Sequence, residues 1–415
     1  MLKENVDVLI IGAGPSGCVA AAYLHKNGVN VKVVERSKFP RFVIGESLIP
    51  RVMDHFEEAG LLDSLKAMDF EKKFGARFIR GEEVCEFDFS DKFGEGWDWT
   101  WQVPRADFDN TLAQDVISKG IDLEFETEVL DVVFNGSNST TTVKDKEGNI
   151  REIQAKFIID SSGYGRVLPR ILKLDAPSSI PENSSVFTHV KDINRPDGRE
   201  GVLISFDILE TKIWLWVIPF SNGNTSIGIV GPTSLINAAG TSNAEILSHF
   251  INRSDFYRER FKDVEFLFEP HKIENYSCSV KQLCGPGFTL TGNSSEFLDP
   301  VFSSGVCFAT ESGMLSAKLF LKELNGKKVD WDKEYTDYMR YGVNVFATYV
   351  KEWYTGNLQT LFFHRPENPD VKKKICAVLA GYVWNKQNPF VKKHDRVIKN
   401  MAYLLEMGQS MDEFN

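Results

Sequence analysis

The chain has 415 residues, 42% of them hydrophobic and 26% charged, and a formal net charge of −10. At roughly 150 residues per domain it holds two or three cores, which excludes a small binding module. The acidic balance, with no long Lys/Arg run, excludes nucleic acid or an anionic membrane surface as the main partner and leaves small molecules.

Val6 to Ile11 is an apolar run that reads as a strand, and it ends in Gly12-Ala-Gly14-Pro15-Ser16-Gly17 before an alanine-rich helical stretch, Cys18 to Leu24. Strand, tight turn and helix in that order form a dinucleotide-binding fingerprint. Its glycines let the backbone approach a pyrophosphate, whose charge the free N–H groups and dipole of the helix start then hold. The next strand, Val31 to Val34, ends in Glu35, 21 residues beyond Gly14, the acidic position that takes a ribose hydroxyl, and Arg36 beside it is a further cofactor-binding candidate. The first five residues lead straight into this strand, leaving no room for a signal peptide, and no apolar run is long enough to span a bilayer, so a cytosolic (cytoplasmic) protein is expected. Six cysteines (Cys18, Cys85, Cys278, Cys284, Cys307, Cys376) form no Cys-x-x-Cys pair and have no histidine at ligand spacing; no metal is expected, and each reads as a small buried hydrophobe.

Phe39 to Pro50 is a turn-rich connection suited to lie over a bound cofactor, and Met53, Phe56, Leu61 and Leu65 mark helix. Ala76 to Ile79 and Val84 to Phe89 read as strands leading to a tryptophan cluster, Trp97, Trp99 and Trp101, together a substrate-facing insert. Pro104-Arg105 restarts a helix, and Asp122 to Phe134, Thr141 to Val143 and Phe157 to Ile159 return as strands. Val202 to Leu209, Lys212 to Pro219 and Thr225 to Val230, separated by Glu-Thr and Ser-Asn-Gly-Asn, carry the turn chemistry of an antiparallel sheet. The pattern is helical from about 310 to the end, without internal repeats. The expected organisation is a cofactor domain of 1–73, 104–169 and 278–325, a substrate domain of 74–103 and 170–277, and a helical region of 326–415. In that last region Tyr335, Tyr338, Phe346, Tyr349, Trp353 and Phe362 are expected to wall an aromatic pocket, with the filling of a helical core the alternative reading of the same spacing.

Three further segments agree with the fingerprint. They are Val103-Pro-Arg105-x-x-Phe108-Asp109, Asp160-Ser-Ser-Gly163 after an apolar strand, and Leu290-Thr-Gly292-Asn293 running into Phe297-x-x-Pro300-x-x-Ser303-x-Gly305. With Trp214-x-Trp216-x-Ile218-Pro219, the chain resembles the FAD-dependent monooxygenase superfamily and, within it, the flavin-dependent halogenases. The resemblance covers nearly the whole chain. It implies an α/β fold with a Rossmann-like FAD-binding domain, an antiparallel-sheet substrate domain like that of p-hydroxybenzoate hydroxylase, and a helical C-terminal region. It further implies FAD at Gly12, Gly14, Pro15, Ser16, Gly17, Glu35, Arg36, Arg105, Asp160, Gly292, Asn293, Pro300 and Gly305.

The catalytic residues implied by the family are Lys73, Trp214, Trp216, Ser304 and Gly305. The indoles would close the space over the flavin where a hydroxylase seats its substrate, although alternating aromatics also suit plain strand packing. Lys73, in Lys73-Phe-Gly75-Ala76, would engage hypochlorous acid or carry chlorine, with Lys72 the adjacent alternative and a solvated surface charge the ordinary state of either. The backbone N–H groups of Ser304 and Gly305 would hold chloride, or only contact the flavin. The chain departs from the family in two places. Asn293 stands where an aspartate is usual, which lowers the expected FAD affinity, and Phe302 stands where the tryptophan-accepting branch carries glutamate, which points to the phenol or pyrrole branch. The reading is a halogenase of an electron-rich aromatic, free or tethered to a carrier protein. It would use oxygen, chloride or bromide, and reduced FAD from a separate flavin reductase. The alternatives are an aromatic hydroxylase or a flavoprotein resembling geranylgeranyl reductases.

Overall fold

The structure is a computed structural model that describes residues 3–364 and 369–412. Strand Lys3–Ile11 lies inside an eight-stranded sheet between Ile150–Asp160 and Val31–Val34, parallel to both. Phe288–Leu290 and Asp122–Glu124 extend the parallel part on either side. Asn138–Lys144 pairs antiparallel with the first half of Ile150–Asp160 and carries Glu128–Asn135 on its other edge. Val8, Leu9 and Ile10 are fully buried, as an unbroken apolar run must be when both faces of a parallel strand are covered.

Asp122 to Phe134 is two strands, not one. At Glu126 the backbone turns left-handed (φ 55°), and the Thr127 N–H reaches the Glu35 carbonyl at 2.9 Å, so the chain bends around the end of the second strand.

Helices Pro15–Lys26 and Gly305–Leu324 pack against each other over this sheet. The contact is close because Gly313 has no side chain; a Cβ there would strike the Ser16 carbonyl. Helix Arg51–Ala59 joins them through buried polar groups. Glu311 accepts from Arg51 Nε at 2.9 Å and from the Tyr338 hydroxyl at 2.9 Å, and lies 2.8 Å from His55 Nε2.

The second sheet has seven strands in the order His271–Glu274, Asn183–Lys191, Asn224–Pro232, Ile213–Pro219, Ser205–Glu210, Gly75–Arg80 and Glu83–Asp88. Ile213–Pro219 is buried along its whole length. Val202 belongs to the short helix Arg199–Val202, so the strand expected there begins at Ser205. Asn183–Lys191 was not legible in the sequence, because buried polar residues break its apolar pattern. Ser184 bonds Thr233 at 2.8 Å, and Thr188 donates to the Phe268 carbonyl at 2.7 Å. Helix Asn243–Arg253, opened by a Ser242/Glu245 capping box, covers one face with Ile246, Leu247 and Phe250.

The C-terminal helices, among them Tyr338–Tyr354, Asn357–Phe363 and His394–Asp412, tie the two sheets together. Trp353 lies 5.5 Å from Phe78 of the second sheet and 5.8 Å from Phe302, ring to ring. Tyr335, Phe346, Tyr349, Trp353 and Phe362 are buried as core, and the Tyr338 ring stacks on Trp384 at 5.1 Å. The expectation that these aromatics wall a pocket is therefore corrected: aromatic spacing on a helix serves a packed core equally well. The tryptophan cluster likewise packs on itself, edge to face, at 5.7 and 5.1 Å. Cys278 is only half-buried, unlike the other five cysteines.

A Cβ on Gly17 would overlap the Gly12 carbonyl oxygen. Gly17→Ala should therefore cost about 1–3 kcal/mol of stability through overpacking, read as a lower urea midpoint with unchanged far-UV circular dichroism.

Candidate active site

The C-terminal ends of the parallel strands open into a cavity of about 430 Å³. Gly14, Pro15, Ser16, Glu35 and Arg36 line one end, Thr291, Gly292 and Asn293 the middle, and Pro300, Ser303, Gly305, Trp214 and Trp216 the other end. Residues drawn from Gly14 to Ala309 thus share one space.

The three fingerprint glycines have different work. Gly12 (φ 104°) turns the chain so tightly that a Cβ would strike the Ser161 carbonyl, and its N–H donates to the Val34 carbonyl at 2.8 Å. Gly17 lets the helix pass over that carbonyl of Gly12. Gly14 faces open space, with only Arg41 Nη2 within 4 Å, at 3.9 Å. It caps helix Pro15–Lys26 without any side-chain cap, so the first-turn amides stay unspent and point at an anion site. Arg36, Arg41 and Arg105 stand on the same cavity wall.

Glu35 accepts the Ala13 N–H at 2.9 Å and the Ser37 N–H at 2.8 Å, one on each oxygen, which orients the carboxylate and leaves a lone pair on each for a ribose hydroxyl. Arg105 grips Asp109 with two bonds of 2.8 and 3.0 Å and donates to the Ile44 and Gly45 carbonyls at 3.1 and 3.2 Å, so it holds the loop that closes over the cavity. Asp160 is buried behind the wall. Burial raises its carboxyl pKa, opposed by N–H bonds from Ser162 (2.9 Å) and Leu168 (2.7 Å), and through these it shapes the cavity loop 161–165. Gly292 is left-handed (φ 54°), and the Asn293 carbonyl accepts from Arg166 at 3.1 Å.

Trp214 and Trp216 alternate along one strand and so face the same side. Their rings, 6.2 Å apart, form the cavity wall with Ile204, Phe206 and Ile218. Ser303 adopts a left-handed turn (φ 54°) after Pro300–Phe302, and Ser304, buried, caps helix Gly305–Leu324 without a side-chain bond. Gly305 and Val306, in the first turn of this second helix, line the cavity, whereas Ser304 is not among the lining residues.

Lys73 is 2% exposed, which removes the ordinary surface role, whereas Lys72 is exposed and lies over the Trp99 ring at 5.1 Å. Lys73 Nζ donates to Ser47 Oγ and to the Leu48 carbonyl, both at 2.8 Å. Ser47 is on the cavity wall and Lys73 directly behind it. Burial brings the amine down to about 7.

Glu46 was missed by the sequence reading. Its Oε1 lies 2.6 Å from His189 Nε2, and its Oε2 is buried without a partner at the cavity wall. A pair 143 residues apart has no spacing signal. Arg105 and Asp109, at i and i+4 on one helix, did have one.

The family model for the FAD binding domain matches residues 5–209. The 1H-pyrrole-2-carbonyl-[peptidyl-carrier protein] brominase of Pseudoalteromonas luteoviolacea is 27% identical over 91% of this chain and 92% of its own length. The 1H-pyrrole-2-carbonyl-[peptidyl-carrier protein] chlorinase of Pseudomonas fluorescens is 27% identical over 93% of this chain and 91% of its own. Over nearly its whole length the chain is similar to flavin-dependent halogenases. It is an FAD-dependent oxidoreductase. A crystal structure of a flavoprotein/dehydrogenase from Cytophaga hutchinsonii, 52% identical over 98% of this chain and 100% of that one, superposes with a TM-score of 0.96. Among the described residues no helix is long and apolar enough to cross a membrane.

FAD fits the cavity by the chemistry of the wall: an uncapped helix start and the Arg36 guanidinium for its diphosphate, a carboxylate for a ribose, and apolar side chains for its ring system.

A side chain at Gly14 meets no protein backbone and projects into the diphosphate end of the cavity. Gly14→Val should weaken FAD at least tenfold, or about 1.4 kcal/mol, in flavin fluorescence titrations, with the melting temperature of the apoprotein unchanged.

The buried amine of Lys73 predicts a pH signature. Its folded pKa of about 7 lies below the unfolded value near 10.4, so between these the unfolded chain binds the extra proton and the Lys73 contribution to stability rises with pH. Urea unfolding of the wild type minus Lys73→Met should show this difference growing from pH 7 towards pH 10, by up to roughly 1.4 kcal/mol per pH unit; a flat difference would contradict it.

Proposed function

We propose that this protein is a flavin-dependent halogenase acting on an electron-rich aromatic ring, a phenol or a pyrrole, free or tethered to a carrier protein, with oxygen, chloride or bromide, and reduced FAD from a separate flavin reductase. The observation that carries the reading is the pairing of a tryptophan wall with a single buried amine behind Ser47. The carrier-bound pyrrole named for two full-length relatives and Phe302 in place of glutamate support the substrate class.

FAD, when bound and reduced, supplies the electrons that activate oxygen. The residues divide the rest. The amides at Ser304 and Gly305 hold the halide by the N–H groups and dipole of an uncapped helix start. Trp214 and Trp216 occupy the space where an aromatic substrate would otherwise meet the cofactor directly. Ser47 and Lys73 receive the hypohalous acid that leaves the cavity. Near pH 7 Lys73 populates both forms. The ammonium donates a proton to the hypohalous oxygen and polarises the oxygen–halogen bond, or the free amine takes the halogen with loss of water and passes it to the ring, whose proton restores the amine.

The deciding experiment combines the protein, FAD, a flavin reductase and a panel of phenols and pyrroles, free and carrier-bound, in chloride or bromide, with mass spectrometry of the products. Halogenated product supports the reading. Hydroxylated product or a reduced double bond moves the protein to the monooxygenase or reductase alternative. Within this assay Lys73→Ala should go on oxidising reduced FAD while product formation falls by roughly a hundredfold to a thousandfold, about 3–4 kcal/mol in the transfer barrier. Full product yield from this variant would discard the lysine step.

A further inference from the structure

We propose that Tyr354, in the C-terminal helix, is a positioning residue that fixes the Trp214 indole in the cavity wall; the catalytic part of this proposal rests on the halogenase reading above. The two wall tryptophans are held in different ways. Trp216 Nε1 donates to Ser226 Oγ at 3.1 Å, on the neighbouring strand of the same sheet. Trp214 Nε1 instead donates to the Tyr354 hydroxyl at 3.2 Å, an acceptor brought from 140 residues away.

The Tyr354 hydroxyl in turn donates to Asp299 Oδ2 at 2.9 Å. Asp299 also takes the Tyr276 hydroxyl at 2.9 Å and, on Oδ1, the Val301 N–H at 3.0 Å, which caps the turn leading to Ser303 and Gly305. The direction of this relay is set by chemistry. An indole N–H can only donate, so the Tyr354 oxygen accepts from it and the Tyr354 O–H is left to donate to Asp299. Trp214 and Tyr354 are buried, so no water replaces the acceptor if it is removed. One hydroxyl thereby links the tryptophan barrier on the second sheet to the segment carrying the halide amides. Neither group is near the other in sequence.

Tyr354→Phe removes the acceptor and keeps the ring, and Tyr276→Phe serves as a control that also loses a bond to Asp299 but does not touch Trp214. In ¹⁵N-indole-labelled apoprotein, with the Trp214 resonance assigned by Trp214→Phe, the indole N–H of Tyr354→Phe should exchange with solvent at least tenfold faster than in the wild type. Tyr276→Phe should leave that rate unchanged. With FAD, reductase and substrate, Tyr354→Phe should lower halogenated product per reduced FAD oxidised by fivefold or more, the missing oxidant appearing as hydrogen peroxide, while the FAD dissociation constant stays within twofold.

An unaltered Trp214 exchange rate in folded Tyr354→Phe overturns the proposal, as does an equal loss of coupling in Tyr276→Phe. Should Tyr354→Phe fail to fold, 3-fluorotyrosine incorporated at position 354 keeps the packing and changes the hydroxyl acidity; a shift of the Trp214 indole resonance supports the contact, and no shift overturns it. Absence of halogenated product from the wild type would refute the functional reading while the indole measurements still decide the role of Tyr354.

Discussion

Two helix starts meet in one cavity because two helices cross closely enough for a glycine, Gly313, to sit on the carbonyl of Ser16. Helix Pro15–Lys26 follows the first strand of the parallel sheet, and helix Gly305–Leu324 arrives almost 300 residues later; both begin without side-chain caps. Each start carries unspent amides and the positive end of a helix dipole. Packing the helices side by side therefore concentrates two anion-binding positions at the ends of the same strands. One suits the diphosphate of FAD, and the other brings a second uncapped helix start to the same cavity. Bulk at Gly12, Gly17 or Gly313 would part the elements that make this arrangement, whereas Gly14 is free of such contact and is open for the cofactor.

The second sheet supplies the opposite character. Ile213–Pro219 is buried along its length, and the side it turns to the cavity is apolar, with Trp214, Trp216 and Ile218 beside Ile204 and Phe206. A wall of this kind excludes water, which strengthens the electrostatic effect of every amide and arginine on the other side. Lys73 sits on the strand pair Glu71–Lys73 and Thr100–Gln102, behind Ser47 of the cavity wall. The amine lies in a place with two oxygen acceptors and no carboxylate among its hydrogen-bond partners. Burial outweighs those acceptors and brings it to neutrality, the condition under which it can both give and take a proton.

The C-terminal helices are often read as a cap. Here they act as a tie: Tyr335 donates to the Leu290 carbonyl at 2.7 Å beside the second cofactor motif, Trp353 fills the gap between Phe78 and Phe302, and Tyr354 reaches Trp214 and Asp299. Their aromatics are spent on connecting the two sheets, which leaves the cavity to be lined by shorter segments from elsewhere.

The sequence by itself determined the parts that depend on local geometry. Gly12, Gly14 and Gly17 after an apolar strand can only be a tight strand-to-helix turn, Glu35 closes the next strand at a fixed distance, and Trp214 and Trp216 share a face because strand residues alternate. It also marked an FAD protein through motifs that are short and continuous. The tertiary structure alone decided which of two adjacent lysines is buried, that Arg105 is committed to Asp109 and the cavity loop, that Asp160 works from behind the wall, and that the helical aromatics are core. Those outcomes depend on burial and on contacts made by folding, as in Lys73 with Ser47, 26 residues away, or Arg105 with the Ile44 carbonyl, 61 residues away. A period in the sequence reports which residues share a face, and only the packed chain reports what that face meets.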